Sequence, residues 1–406
     1  MKKEIKLFLK VICLVAAFSM IWTVNASAEK TVLKVGSIYG YTGPYSTVQT
    51  LAAQGHIDYI RYINETGNVD LHPSLKGFDI KHISLDSAYT VPGYLKAYWK
   101  LVERGVKLFF SFNTGGCDAV KTYAAKEHMP VISGGISDKQ MFPPGWIFGA
   151  GAVYSEPMAA AVDWAIKQLK EDRPLRIVWM TNDNPFGRAP IPKCTAYAKK
   201  KGVKVFGPVF IPQIPVDITA ELNTVMSYKP DYVFMNIAEA LPPTMANIQR
   251  MGLHKKNVKF LSYWPVSPVF KAAPEAVEAC LLLSNPWGLS TEDTPGMKLA
   301  RKLFKKYRPG KKQSNFYAVG VYNGRSSLAP IEKALEKVPF NKLNGDNILK
   351  YGLHRMKSYN MLGLGPNLTY SPDERRGVRD CRIIGVKNGK HVPLTEFIPM
   401  PDLKNF

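Results

Sequence analysis

Short runs of β-branched and aromatic residues alternate along this chain with longer stretches whose apolar positions recur every three to four residues. The runs fall at 33–38, 80–85, 108–112, 131–133, 177–180, 203–206, 232–236, 260–262, 280–284 and 382–386. Their near-continuous hydrophobicity predicts strands buried on both faces. Segments 48–63, 91–104, 118–128, 158–170, 191–201, 218–226, 244–251, 297–307 and 320–337 carry helical spacing between them. Such alternation is the pattern of parallel sheets covered by helices on both faces, so an α/β fold is expected.

The rhythm restarts once. A first set of four strand-helix units ends near Gly149-Ala150-Gly151-Ala152, and a second opens with the helix after Pro157. That repetition predicts two doubly wound lobes. Beyond Pro286-Trp287 the pattern is helical for about 70 residues, then comes Leu368-Thr369-Tyr370, a polar turn over 371–377, and Asn388-Gly389 between apolar runs. Asn-Gly in that setting predicts a two-residue hairpin. The first strand feeds the sharp turn Thr42-Gly43-Pro44 and then a long amphipathic helix. Ligands of open α/β sheets sit at the carboxyl ends of the strands, so this turn is a candidate wall of a binding site.

The front of the chain narrows the class. Lys2, Lys3, Lys6 and Lys10 precede an apolar stretch over 11–24, followed by Ala26-Ser27-Ala28, the three parts of a cleaved export signal over 1–28. The apolar stretch is shorter than the roughly 20 residues that span a bilayer. Cys13 suggests a lipid anchor, but a charge and bulky residues precede it where small ones are expected. Removing 28 residues leaves 378, comfortable for two domains. The formal charge is +22, or +19 without the four lysines and Glu4 of the leader. The lysines lie in short scattered groups, among them 199–201 and 305–306, at predicted helix ends, as a solvated surface does, and no nucleic-acid recognition motif accompanies them. Cys117, Cys194, Cys280 and Cys381 show no C-x-x-C pair; three pairings fit an oxidising compartment, and buried free thiols fit equally.

Catalytic and cofactor signatures are missing. Gly149-Ala150-Gly151 lacks a third glycine in register, and Pro366 removes a donor from Gly363-Leu364-Gly365, so neither reads as a phosphate loop. The seven histidines are dispersed, and Asp86 and Asp138 read as caps at strand ends. No metal, cofactor or enzymatic activity is expected. Two loops stand out instead: Asn113-Thr114-Gly115-Gly116 and Ser133-Gly134-Gly135-Ile136-Ser137-Asp138. Both are small, hydroxylated and glycine-rich, and both approach a helix N-terminus, whose free N–H groups and dipole suit a carboxylate.

Val35 to Ser46 with its turn, Asn113 to Gly116, Pro130 to Gly135, Asn184-Pro185-Phe186-Gly187, Asp231-Tyr232-Val233-Phe234 and Met251-Gly252-Leu253 follow one another as in type I periplasmic binding proteins. The chain resembles the branched-chain amino acid, or Leu/Ile/Val-binding, family of ABC-transporter solute receptors over nearly its whole mature length. That resemblance implies an α/β fold of two Rossmann-like lobes joined by three crossovers, placed near 152–155, 284–287 and 365–369. Lobe 1 would be 29–153 plus 287–366, and lobe 2 would be 154–286 plus 367–406. It also implies a periplasmic or otherwise extracytoplasmic monomer that closes over a small-molecule ligand and presents it to an ABC permease and ATPase complex.

Carried over position by position, Thr114, Gly115, Gly135 and Ser137 match the loops that grip an amino acid's carboxylate, and Phe186 matches an aromatic lying over the ligand. Tyr154 and Trp264 fall where such receptors place an acidic residue facing the ammonium group. Ala238 falls near an expected tyrosine, and Glu239 beside it is suited equally to supplying one carboxylate to the cleft and to solvent exposure. An ammonium buried without a carboxylate costs several kcal/mol. With Tyr45, these aromatics imply a cleft for a small apolar or aromatic carboxylate, or an amide. A branched-chain or other amino acid receptor is the alternative ligand class. A soluble sensor serving a membrane signalling protein shares all these features.

Overall fold

The computed structural model describes residues 30–67, 70–264, 266 and 268–406. The segment read as an export signal, with its expected cleavage site and Cys13, lies outside them. Two sheets organise the chain. The first holds β1 (Thr31–Tyr39), β2 (Phe78–Asp86), β3 (Phe109–Ser111), β4 (Val131–Ser133) and β5 (Ile147–Gly149), in the order β2-β1-β3-β4-β5 and parallel throughout. The second holds β6 (Arg176–Asn182), β7 (Lys204–Ile211), β8 (Tyr232–Met235), β9 (Lys259–Ser262), β10 (Leu281–Asn285), β11 (Asp380–Lys387) and β12 (Lys390–Pro393). Its order is β12-β11-β10-β9-β8-β6-β7, with β13 (Ile398–Pro399) paired to β11. β6 to β10 are parallel, and β11 and β12 run antiparallel.

The central strands carry almost no polar alternation because helices cover both faces: every residue of β3, β4, β8 and β10 is buried. Ser37, Phe110, Ile132 and Phe148 stand in register across four strands of the first sheet. After β10 the chain leaves the second sheet and lays the helix Asn315–Leu335 against Ser46–Glu65, which flanks the first sheet. Gly55 and Gly320 permit that approach: a Cβ on Gly320 would lie 2.0 Å from the Ala52 carbonyl oxygen. The chain then returns to the second sheet through β11, and Arg376 pairs with Gly149 where the first and third passages run side by side. Glu156 and Arg376, both buried, form an ion pair there, joined by Arg379 at 2.7 Å.

Departures from the sequence expectation have local causes. β5, three residues at the edge of the first sheet, is not among the expected strands. The helices predicted at 118, 244 and 320 begin at Thr114, Leu241 and Asn315. Glycine and proline in a first turn read as breakers, yet proline there forfeits no hydrogen bond. Gly116 is required by packing, because a Cβ would meet Tyr94 Cγ at 2.2 Å. The Lys387-Asn388-Gly389-Lys390 hairpin forms as expected, with positive φ at Asn388 and Gly389. Cys117, Cys194, Cys280 and Cys381 are buried free thiols, and burial pushes the Cys117 thiol up to about 12. Among the described residues no helix is long and apolar enough to cross a membrane.

Candidate functional site

The turn after β1 is fixed by one carboxylate. Asp86 accepts hydrogen bonds from the Tyr41 N–H (2.8 Å), the Ala88 N–H (2.8 Å) and the Thr42 hydroxyl (2.6 Å). Gly43 sits at φ +83°, where a side chain would lie 2.4 Å from the Ala88 carbonyl oxygen. The clamped turn delivers Tyr45, Val48 and Gln49 to the gap between the sheets. Gln49 is itself satisfied, accepting the Gly40 N–H at 2.9 Å and donating to the Phe112 carbonyl at 2.6 Å.

The next wall is the N-terminus of the helix Thr114–Lys126. Asn113 caps it, accepting the Gly116 N–H at 2.9 Å. Thr114, the first helical residue, is 1 % exposed, and its hydroxyl makes no hydrogen bond of good geometry, although the phenols of Tyr154 and Tyr89 stand close enough to pair with it. Gly135 faces it: a Cβ there would stand 3.1 Å from Thr114 Oγ1 and 3.5 Å from the Tyr154 phenol oxygen. Gln140 holds this loop to the helix, donating to the Gly135 carbonyl (2.9 Å) and accepting the Ser133 hydroxyl (2.8 Å). Burial raises the phenol of Tyr154 well above its ordinary value, so it is a neutral donor at any physiological pH.

The opposite wall comes from the second sheet. Phe186 lies on the short helix Pro185–Arg188, whose Asn184 cap accepts the Gly187 N–H at 2.8 Å. The Asn236 amide donates to the Phe186 carbonyl at 2.7 Å. Phe186 meets Tyr45 and Tyr154 edge to face, with ring centroids 5.9 and 5.3 Å apart. Trp264 packs between Phe112 (5.4 Å), Phe316 (5.4 Å) and the stacked Trp287 (6.0 Å).

Tyr45, Gly135, Tyr154, Phe186, Ala238 and Trp264 therefore line one cavity, together with Val48, Gln49, Tyr89, Phe112 and Phe316. No acidic residue is among them. The space between these walls is about 20 Å³, room for about one water molecule. An organic solute enters only as the two walls part.

The other expected residues lie around this cavity. Thr114 stands beneath Gly135. Gly115 and Ser137 open onto a neighbouring outer groove of about 900 Å³, and the Ser137 hydroxyl is committed to Asp118 at 2.6 Å. Gly115 separates the two spaces, because its Cβ position lies 3.0 Å from Pro185 Cγ across the gap. Glu239, read as a carboxylate for the cleft or as exposed, does not line the cavity. It is half-buried, and it accepts the Val48 N–H at 2.8 Å. Sequence reasoning missed Val48, Gln49, Tyr89, Phe112 and Phe316. The first two lie one turn beyond Tyr45 on an amphipathic helix and were legible as its inner face. Phe316 comes from a distant helix and carried no local signal. Asp86 and Asp138 serve structure, Asp138 accepting the Ser155 hydroxyl at 3.0 Å. Among the described residues no group of three or more His, Cys, Asp or Glu side chains is placed to hold a metal ion.

A profile described as periplasmic binding protein matches residues 32–390. The chain belongs to the periplasmic binding protein family. No curated protein sequence matches it. Among solved structures it is similar to a branched chain amino acid ABC transporter protein from Thermus thermophilus with bound valine, at 21% identity and TM-score 0.82, covering 92% of this chain and 98% of that one. It is similar to a fatty acid ABC transporter substrate-binding protein from Thermomonospora curvata at 17% identity and TM-score 0.78, covering 93% and 94%. A third likeness is to an ABC transporter solute binding protein from Rhodopseudomonas palustris in complex with p-hydroxybenzoic acid, at 16% identity and TM-score 0.73, covering 92% and 98%. The two-lobed family fold implied by the sequence is thus shown.

Proposed function

We propose that this periplasmic binding protein is the extracytoplasmic receptor of an ABC importer and captures a small apolar or aromatic carboxylate between its lobes. The observation that carries the ligand class is the cavity itself. Seven aromatic residues and no acidic side chain line it, while the buried Thr114 hydroxyl stands beside Gly135 at a helix N-terminus, within reach of the Tyr154 and Tyr89 phenols. An aromatic or aliphatic body fills the ring-lined part, and its carboxylate takes the Thr114 hydroxyl and the Tyr154 phenol at the positive end of the helix. An ammonium group finds no partner there, at a cost of several kcal/mol.

Structures of the same fold bind valine and p-hydroxybenzoic acid, and a third is described as a fatty acid receptor, so the scaffold accommodates each class. The divide between lobes runs as 29–153 with 287–366 against 154–286 with 367–406, and the lobes open and shut about the three crossovers. The protein works as an exported monomer freed of its leader, delivers its solute to a permease, and performs no catalysis.

Thermal-shift and calorimetric titration with benzoate, 4-hydroxybenzoate, hexanoate, leucine and valine tests the ligand class. A specific acid at 100 times its Kd adds about 2.7 kcal/mol of stability. Micromolar leucine binding with no response to the acids overturns it.

A further inference from the structure

One carboxylate joins the two lobes without lining the solute cavity. Glu239, just past β8, reaches across the cleft and accepts the Val48 N–H at 2.8 Å, and the Thr47 N–H also bonds to it. Both amides belong to the first turn of the helix Ser46–Glu65, where no carbonyl of the preceding turn is available, and Tyr45 at the N-cap supplies no side-chain cap. A residue of one lobe thus caps a helix of the other. Tyr45 adds a second tie: the Asn184 amide donates to its phenol at 2.8 Å, and the phenol donates to Asn182 Oδ1 at 3.3 Å.

No cation faces Glu239 among the described residues. Burial acts on it first and raises its pKa, the Val48 and Thr47 amides pull it back down, and Tyr45 is the titratable group beside it. The carboxylate therefore does two opposed things. Its oxygen favours closure, since the first-turn amides would otherwise be buried without an acceptor. Its charge disfavours closure, since no counter-charge replaces the water lost.

We propose that Glu239 is a positioning residue for solute capture: by capping the opposite lobe's helix only when the cleft is shut, it sets the closed-to-open ratio, and through that ratio the affinity and its pH dependence. The inference rests on the two-lobed receptor reading above. A neutral Glu239 keeps the accepting oxygen and sheds the desolvated charge, so the closed form binds the proton more tightly than the open form does. Acidification therefore shifts the population toward closed.

Spin labels at Lys96→Cys and Asn223→Cys, exposed positions on opposite lobes, read the interlobe distance distribution with no solute present. Failure of the ligand-class assignment therefore leaves this test standing. Amide exchange over residues 45–50 reports the same event at the cap. Glu239→Ala should lower the closed-to-open ratio about tenfold, the effect of stranding one or two buried donors. Glu239→Gln should close at least as fully as the wild type and show no response to pH, whereas the wild type moves toward closed as pH falls toward the ordinary carboxylate range. Wild-type behaviour of Glu239→Ala, or a Glu239→Gln profile that follows pH as the wild type does, overturns the proposal.

Discussion

Thr114→Val separates a binding hydroxyl from a structural one. The side chain is 1 % exposed, and its hydroxyl makes no hydrogen bond of good geometry, with only the Tyr154 and Tyr89 phenols in reach. A buried hydroxyl held only by weak partners contributes little net stability, so exchanging it for a methyl group of similar shape should change stability by no more than about 1 kcal/mol. Binding moves the other way. A hydrogen bond to a charged carboxylate contributes about 1.5–3 kcal/mol, so the valine variant should bind the acid about 10- to 150-fold more weakly. Thr114→Ser keeps the hydroxyl and should bind within a few-fold of the wild type. Urea unfolding followed by midpoint and slope measures the first effect, and calorimetric titration with whichever acid responds in the panel measures the second. A valine variant that unfolds more than about 1 kcal/mol more easily, yet binds like the wild type, would refute the reasoning, since the hydroxyl would then be holding the protein rather than the solute.

Two further outcomes follow from packing and burial. Gly320→Ala drives a methyl group into the Ala52 backbone at 2.0 Å, whereas a Cβ on Gly145 meets only Lys121 Cε at 3.6 Å. The first should cost at least about 2 kcal/mol by separating two helices, and the second should stay within about 0.5 kcal/mol in thermal unfolding. Burial holds His391 and His82 down to about 4 in the folded chain and lowers His56 and His72 as well. Each binds its proton more readily unfolded, so the stability is full above about pH 6.5 and is lost as pH falls toward 4. At pH 5 His391 and His82 should each subtract about 2 kcal/mol relative to pH 8, and His391→Gln should remove its own share from a urea-unfolding pH series.

The alternation of apolar runs and amphipathic stretches was enough to specify parallel α/β lobes, because a strand covered on both faces and a helix covered on one leave different periods in the chain. The Asn388-Gly389 hairpin and the Thr42-Gly43-Pro44 turn were legible for a similar reason, since each depends on φ values that few residues adopt. The site was partly legible: Tyr45, Tyr154, Phe186 and Trp264 do meet in one cavity. What their sequence positions did not contain was the partner of each. Phe316 joins the cavity from a helix far along the chain. Ser137 turns to Asp118 and away from the aromatic cavity. Glu239 was a lone carboxylate in the sequence, equally suited to water or to a ligand, and only the approach of the two lobes puts the first turn of Ser46–Glu65 against it. Local sequence determines which hydrogen bonds a segment cannot make for itself; the orphan amides of Thr47 and Val48 are implied by any helix start. Tertiary structure decides which group from elsewhere meets that need, because the choice depends on distances between segments that share no sequence period.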